Sequence, residues 1–584
     1  MFGADYLRIF RKHGLAVMEP PAGSVTDREV TRSDIQRLTA RAGWSLVWFG
    51  TLMSGLGAWA WWSSWPGAAV IAPLIVAVGI VGTAAGWLVE RPEGRRFAWL
   101  SLAISCAAAA FAQGITIMGR SFYTTDSAAF NQIAAAHLLK GRNPYTASLA
   151  GGASHLLQGV ASYWTYTLGG GHIDAVSYPA GSFVFQVPLQ WLGVTHLATD
   201  WLDLLAGIVA TVLLFAMLPM AIRWLAPALL VTGNFLGLFS NGGTDALVLP
   251  FLLLAVWKWD RHVDPSCAWW MRWIGPVALG IACSIKQSPW FCVPFLILGI
   301  VLEARSTGRP VLRAGLGYGA VVVGTFMIID LPFLIWSPHA WIHGVFLPLA
   351  QPLIPDGQGL VTLALHGFVH GAHPGSLAIA GVFAEVALLA AFFLEYRRFK
   401  PIWLFLVPLV LFFPGRSLSE YLMDFFPAAI VAACSVRRTQ WKPLPNISPT
   451  LRGAAMAAPV LGVAAFSILG LSSPVLTVRV VGTTTQSHQQ FYRSLTLELV
   501  NNSDVTIRPG VMVLENGTHP TGFWHLAGHR ALTLRPHARR VVTVYPPTWT
   551  WTSLKGQYWI VAAYTSTPAG VSTSPAIRWN QGRR

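Results

Sequence analysis

The chain has 584 residues, 54% hydrophobic and 11% charged, with a formal net charge of +16 and a mean hydropathy of +0.52. Soluble domains carry about twice that charged fraction, so a water-soluble enzyme is excluded, and basic loops between membrane spans account for the positive charge better than a nucleic-acid surface does. The five cysteines (106, 267, 283, 292 and 434) all lie in or beside apolar runs, which excludes a disulfide scaffold and a Cys-ligated metal site.

Residues 1–43 are polar, mixed in sign and contain Pro20 and Pro21. They show no cleavable signal peptide and read as a cytoplasmic N-terminal tail. Residues 44–63, 67–89 and 97–118 are three apolar runs of the length needed to cross about 30 Å of hydrocarbon. Asp126 follows the third, inside a polar loop at 119–177. An acid just past a span is a functional candidate in a chain poor in acids. Thr124-Thr125-Asp126-Ser127 before an Ala-rich run is also ordinary helix-capping chemistry. Residues 126–140 carry apolar positions at helical spacing and end at Gly141, as an interfacial helix would.

Further apolar segments are expected at 180–198 and 202–220, then in two interrupted pairs, 224–240 with 246–259 and 273–285 with 289–303. Broken pairs of this kind mark half-helices whose freed backbone must face protein or a water-filled cavity. Runs at 314–336, 375–395, 401–413, 425–436 and 453–472 complete a membrane domain over 44–473. The expected total is about 11 to 13 spans, counting broken helices. The loops 90–96, 258–272, 303–313, 396–400 and 437–452 each hold three or four Lys/Arg, whereas 337–374 holds none. This positive-inside asymmetry places the N-terminus in the cytoplasm and 119–177, 337–374 and everything after 473 outside.

Residues 474–584 change character. Short alternating runs such as 475–480, 495–499, 540–545 and 558–562, separated by turn signals, predict an extracytoplasmic immunoglobulin-like β-sandwich. It holds eleven Lys/Arg against three Asp/Glu, a net of +8, which suits either solubility beside anionic lipid or docking of a charged head group or glycan.

The run from Asp126 through Ala134-Ala135-Ala136 to Gly141-Arg142-Asn143-Pro144-Tyr145 resembles the first outer loop of the GT-C glycosyltransferases. It is most similar to that of the actinobacterial polyprenol-phosphate-mannose-dependent α-mannosyltransferases. Tyr178-Pro179 followed by an apolar run to Pro188-Leu189 looks like the family's Tyr-Pro-Pro-Leu segment, with Ala180 in place of the second Pro. Lys286-x-x-Pro289 matches a helix-breaking Lys-x-x-Pro, Pro338…Trp341 also fits, and Gly242-Gly243-Thr244-Asp245 departs from the family's Gly-Gln-x-Asn turn. The resemblance covers about residues 100–430 and leaves the tail unexplained.

The resemblance implies an enzyme that moves a sugar, mannose first, from a polyprenyl-phosphate donor to a glycolipid or polysaccharide acceptor on the outer face of a bacterial plasma membrane. Asp126 would be the catalytic base. Asn143, Tyr145 and Tyr178 belong to the family motifs. Lys286 and Arg416 are candidates to hold the anionic leaving phosphate, with Glu420 four residues beyond Arg416 as its potential partner. Tyr145, Tyr178 and Trp341 are candidates to stack on sugar or line an acyl groove, and His339 and His343, spaced i, i+4, to bind a metal or acceptor hydroxyls. Simpler readings stand beside these: a snorkelling lysine, a membrane-edge Arg–Glu pair, and aromatic and histidine residues of the membrane interface. No cofactor and no metal are expected, since such a transfer does not in principle require a divalent ion. An arabinofuranosyltransferase of the same fold, a lipid or polysaccharide transporter with an outer sensing domain, and a membrane scaffold remain the alternatives. Richness in Ala, Arg, Gly and Trp fits a high-GC bacterium.

Overall fold

The computed structural model describes residues 32–62, 64–89, 94–160, 163–239, 243–346, 353–437, 448–485, 491–515, 519–529, 531–547, 551–552 and 558–578. The N-terminal tail up to residue 31, residues 240–242 ahead of the Gly243-Thr244-Asp245 turn and part of the basic loop 437–452 lie outside them. Helix α1 (Arg32–Trp62) packs along α2 (Pro66–Leu88) and against α3 (Arg95–Gly119). After α4 (Asp126–Leu139) and a seven-residue helix at Ala150–Leu156 come the short helices α5 (Gly181–Val184) and α6 (Val187–Trp191), and then α7 (Ala198–Met217). The segment expected to span at 180–198 is therefore two separate turns. Pro188 opens the second of them, and Gly193 at φ +88 ends it in a conformation that costs little only for glycine.

Helices α8 (Asp245–Val256), α9 (Trp269–Ile285), α10 (Ser288–Ser306), α11 (Val311–Trp336), α12 (Pro338–Val345), α13 (Pro374–Leu394), α14 (Ser419–Met423), α15 (Phe425–Ser435) and α16 (Pro449–Gly470) complete the bundle. Among the described residues seven helices are long and apolar enough to cross a membrane: α2, α3, α7, α10, α11, α13 and α16. The chain is thus a multi-span membrane protein. The sequence count was larger because it also took in 44–63, 180–198 and the shorter apolar segments, among them α8 and α15, whose 12 and 11 residues reach only about half of a 30 Å core.

One end of the bundle is tied by charge. Lys400 Nζ lies 2.8 Å from both Asp260 and Glu303. Tyr396 donates to Glu303 at 2.7 Å, the Arg437 amide donates to Asp260 at 2.7 Å, and the Arg437 guanidinium pairs with Asp264. These residues come from four of the loops that the charge pattern assigns to one side.

The other end carries the β-structure. Strands β1 (Asp356–Gly357) and β3 (Arg416–Ser417) form a small parallel pair. Strand β2 (Gly371–Ala372) joins β4 (Leu476–Thr485), β5 (Phe491–Asn501), β6 (Gly510–Glu515), β7 (His519–Leu526), β8 (Arg539–Tyr545), β9 (Trp551–Thr552), β10 (Tyr558–Ser566), β11 (Ala569–Thr573) and β12 (Ile577–Arg578). The main path is β2-β11-β10-β6-β7-β8-β5-β4, antiparallel throughout, with β12 on β10 and β9 on β5. This is one curled sheet, a half-barrel, in place of the two stacked sheets that the strand pattern predicted. Its far edge returns to its start, where the Leu476 amide donates to the Ser572 hydroxyl at 3.0 Å.

Strands β6 and β10 are buried on both faces. Val511, Val513, Trp559, Val561 and Ala563 fill the concave core. The alternate residues Met512, Leu514, Ala562 and Tyr564 pack on Leu168, Ile354, Val361 and Leu365 from the loops of the membrane domain. Backbone pairing seals the seam: Thr573 N–H donates to His370 O at 3.1 Å, next to the pairing of β2 with β11. The sheet is a docked cover. Truncation at residue 473 should expose this shared core, and limited proteolysis should then cut within 353–372, which stays protected in the full chain. Equal protection in both proteins would show that the docking does not hold in solution.

Candidate functional site

Asp126 is the first residue of α4, at the helix end where partial positive charge favours a carboxylate. Thr125, at the N-cap position, makes no side-chain cap bond. The carboxylate is 6% exposed and is held from across the loop: the Thr165 amide donates to Oδ2 at 2.6 Å and the Thr165 hydroxyl to Oδ1 at 3.2 Å. Thr165 is fixed by the hairpin at 163–173, which pairs Tyr166 with His172 and Thr167 with Leu353. Burial pushes the Asp126 carboxyl above its ordinary range, against the opposing pull of the Thr165 amide and the Arg416 guanidinium.

Arg416, on β3, acts on this carboxylate through space, without a direct ion pair. Parallel pairing sets Asp356 opposite Arg416, with bonds from Asp356 N–H to Gly415 O at 2.9 Å and from Gln358 N–H to Ser417 O at 2.7 Å. Gly357 has φ +101, and a Cβ there would lie 2.2 Å from Ser417 O, so glycine alone permits the approach. The helical Arg416–Glu420 pair expected from spacing does not form. Arg416 lies in a strand, the helix begins only at Ser419, and Asp356 is the carboxylate that acts on Arg416 most strongly. Glu420 is half-buried and faces Tyr421, Asp424 and Lys286 instead.

Tyr178 joins Asp126, Arg416 and Tyr421, with its hydroxyl bonded to Ser127, and burial holds that hydroxyl well above its ordinary range. Asn143 and Tyr145 stand behind it. Asn143 Oδ1 accepts the Tyr145 amide at 3.0 Å, and the Tyr145 hydroxyl donates to Tyr178 O at 2.8 Å. The Tyr145 ring packs on Phe183 and Phe333. Trp341 is also buried, donating to Asp330 at 3.0 Å, and Asp330 accepts the Ala180 amide at 2.8 Å. These three side chains shape the wall. His339 and His343 stack on each other, ring centroids 6.4 Å apart, on the exposed face of α12, away from this group.

Directly beneath lies a second set of charges at the helix breaks. Lys286, at the C-cap of α9, pairs with Asp245, the first residue of α8, and its amine sits 4.3 Å from the centre of the Tyr421 ring. Asp424 precedes α15, and Asp203 lies one turn into α7. Both are 1% exposed, and both are within electrostatic reach of Lys286. Arg120 pairs with Asp200. Gln287, next to Lys286, donates to Ser177 O and Val345 O at 2.9 Å each, which ties the break in α9–α10 to the loop bearing Tyr178. Asp203, Asp356, Thr165 and Tyr421 were not singled out from sequence. The acid at 203 was the findable one, since it falls inside an apolar run.

One level deeper, a small apolar crevice with about 20 Å³ of free space is lined by Ala210 and Leu214 of α7, Leu249 and Leu253 of α8, and Pro427 of α15. These are the helices whose sheet-side ends carry Asp203, Asp245 and Asp424. At 1.5 Å per residue the lining begins about 5 to 10 Å below the carboxylates. Among the described residues no cluster of three or more His, Cys, Asp or Glu is arranged to hold a metal ion.

Replacing Thr165 by Val removes one of the two bonds to Asp126 and keeps the amide. The loss of about 1 kcal/mol from the carboxylate form should raise the Asp126 ionisation by close to one pH unit. Any activity that needs the carboxylate should then lose its acidic limb at correspondingly higher pH. An unmoved limb would show that Asp126 does not govern it. Comparison of the chain with protein-family models, with curated proteins and with solved structures finds no match, so what the site does must follow from its own geometry.

Proposed function

We propose that the chain is a GT-C-type glycosyltransferase that moves a sugar, mannose first, from a polyprenyl-phosphate donor to a hydroxyl of a glycolipid or polysaccharide. The reading places it in a bacterial plasma membrane with its N-terminus in the cytoplasm and the sheet end outside. The observation that carries it is a buried, hydrogen-bonded carboxylate, Asp126, within electrostatic reach of a facing arginine, Arg416, at the loop end of a multi-span bundle.

The chemistry needs a base at the acceptor and positive charge at the leaving phosphate. Asp126 takes the proton of the attacking hydroxyl, and its raised ionisation makes it a stronger base than an ordinary carboxylate. Arg416 receives the phosphate through its planar fork. Lys286 is already engaged by Asp245 and supports that charge from below, through the Tyr421 ring. Tyr178 lines the space between Asp126 and Arg416. The sheet closes the site from above, so an acceptor enters beside it, along the membrane surface, where His339 and His343 are exposed. An arabinofuranosyl donor would use the same groups.

A transporter is the second reading. The buried charges at the half-helix breaks favour it, because intramembrane acids commonly mark ion or substrate paths.

Asp126→Asn keeps size and helix position but cannot take a proton. It should lower transfer by roughly 10²-fold or more while leaving donor binding near wild type, and Arg416→Ala should weaken donor binding first. Both are measured on purified protein in nanodiscs, with radiolabelled polyprenyl-phosphate mannose and arabinose and separate binding and transfer assays. Transfer by Asp126→Asn at the wild-type rate would remove the base assignment. Absence of transfer by wild type from either donor would move the transporter reading ahead. Single cysteines at exposed positions in 474–584 should react with an impermeant thiol reagent in intact cells, and labelling only after lysis would reverse the orientation.

A further inference from the structure

Of the buried charges at the helix breaks, some are matched and some are not. Asp200 is closed by Arg120 and Asp245 by Lys286. Asp203 and Asp424 remain. Each is 1% exposed; both Asp424 oxygens lack a hydrogen-bond partner, and the Asp203 carboxylate has only the Thr244 backbone amide, at poor geometry, beside it. The charged and titratable groups around Asp203 are Lys286, Asp200 and Asp424, with the Thr244 backbone amide alongside. Those around Asp424 are Lys286, Glu420 and the Tyr421 phenol. One ammonium therefore faces three fully buried carboxylates, and the half-buried Glu420 adds a fourth.

Such a group has too much negative charge for its setting, and an incoming phosphate would add more. Unpaired carboxylates buried this deeply need a compensating positive charge. The cations nearest them are already engaged, Arg120 by Asp200 and Lys286 by Asp245, and among the described residues the acids are not arranged as a metal cage. The proton is the cation that needs no cage.

We infer that Asp203 and Asp424 form a proton-binding pair beneath the site, and that protons bound there set its affinity for an anionic lipid phosphate. The inference rests on the donor reading above. A solvent proton adds to a carboxylate oxygen to give a neutral carboxylic acid, and no other bond changes. With the pair protonated, the negative field reaching Arg416 from below is at its weakest and the phosphate is held. As pH rises and protons leave, that field grows more negative and the phosphate is released. Proton binding and phosphate binding therefore strengthen each other by the same factor.

Two measurements on the full chain in nanodiscs test this. The first needs no lipid substrate. An infrared pH titration should show the C=O stretch of a buried carboxylic acid, which a carboxylate lacks, and this band should shrink in Asp203→Asn and in Asp424→Asn. The second is calorimetric titration with undecaprenyl phosphate in buffers of different ionisation heat. It should show uptake of about one proton per phosphate bound, with affinity falling up to tenfold per pH unit over the range of uptake. In the double Asp203→Asn, Asp424→Asn variant, binding should persist and lose both the uptake and the pH dependence.

Absence of the infrared band in wild type overturns the proton pair. A band with no proton uptake overturns the linkage, as does affinity that follows Na⁺ or Mg²⁺ instead of pH. If wild type binds no undecaprenyl phosphate at any pH, the donor reading fails and the linkage with it, while the infrared result still decides the pair by itself. The double variant's own fold is checked by the melting of its helical signal, and Asp203→Glu, which restores a carboxyl, should recover the band.

Discussion

A helix interrupted inside a membrane domain leaves amides and carbonyls that lipid cannot satisfy, and the rest of this molecule is arranged around several such interruptions. Each break carries charge of the sign that its helix end favours. Asp126, Asp245 and Asp424 stand at N-terminal ends, Asp200 in a first turn, and Lys286 at a C-terminal end. The peptide dipoles therefore stabilise charges that would otherwise be costly to bury. Because the breaks face one another, their charges meet in one place. The short helices α8 and α15 then continue away from that place and enclose the crevice. Charge cluster and apolar crevice are two consequences of the same architecture.

The loops above depend on the sheet as much as on the bundle. Thr165 positions Asp126, the hairpin at 163–173 positions Thr165, and Leu168 of that hairpin is packed under Tyr564 and Met512. On the other side, Asp356 is tied to Arg416 by strand pairing, and Ile354, two residues earlier, lies in the same packed group. The acid and the arginine are thus held from opposite sides by one apolar seam. Tyr564 adds a buried hydroxyl close enough to Asp356 for that carboxylate to act on it.

Much of this was legible in the residues. Apolar runs and basic loops gave the multi-span bundle, alternation gave the β-rich tail, and the interrupted pairs gave the helix breaks at 243–245 and 286–289. The segment at 180–198 misled because its apolar composition is real but Pro188 and Gly193 stop it twice, and hydropathy averages over both. The sheet misled for a different reason. Alternation specifies strands and faces, but whether they stack as two sheets or curl as one depends on pairings far apart in the chain. A signal for docking was present: Tyr558-Trp559-Ile560-Val561-Ala562-Ala563-Tyr564 is nearly continuous in apolar residues, as a strand covered on both faces must be. The meeting of Asp126 with Arg416 was not readable, since 290 residues separate them and only the fold brings them together.

The seam between sheet and loops also orders events during synthesis. Strand β2 finds its partner β11 about two hundred residues later in the chain, and contacts so distant close slowly. Every helix of the bundle is made before the last strands exist. Until then Leu168, Ile354, Val361 and Leu365 stand uncovered beside the membrane, where exposed apolar surface invites wrong partners. A nascent chain in this state has its bundle and its charges but neither wall of its site. Strands β10 and β11, made after every helix of the bundle, are therefore what cover these loops and bring the two walls together.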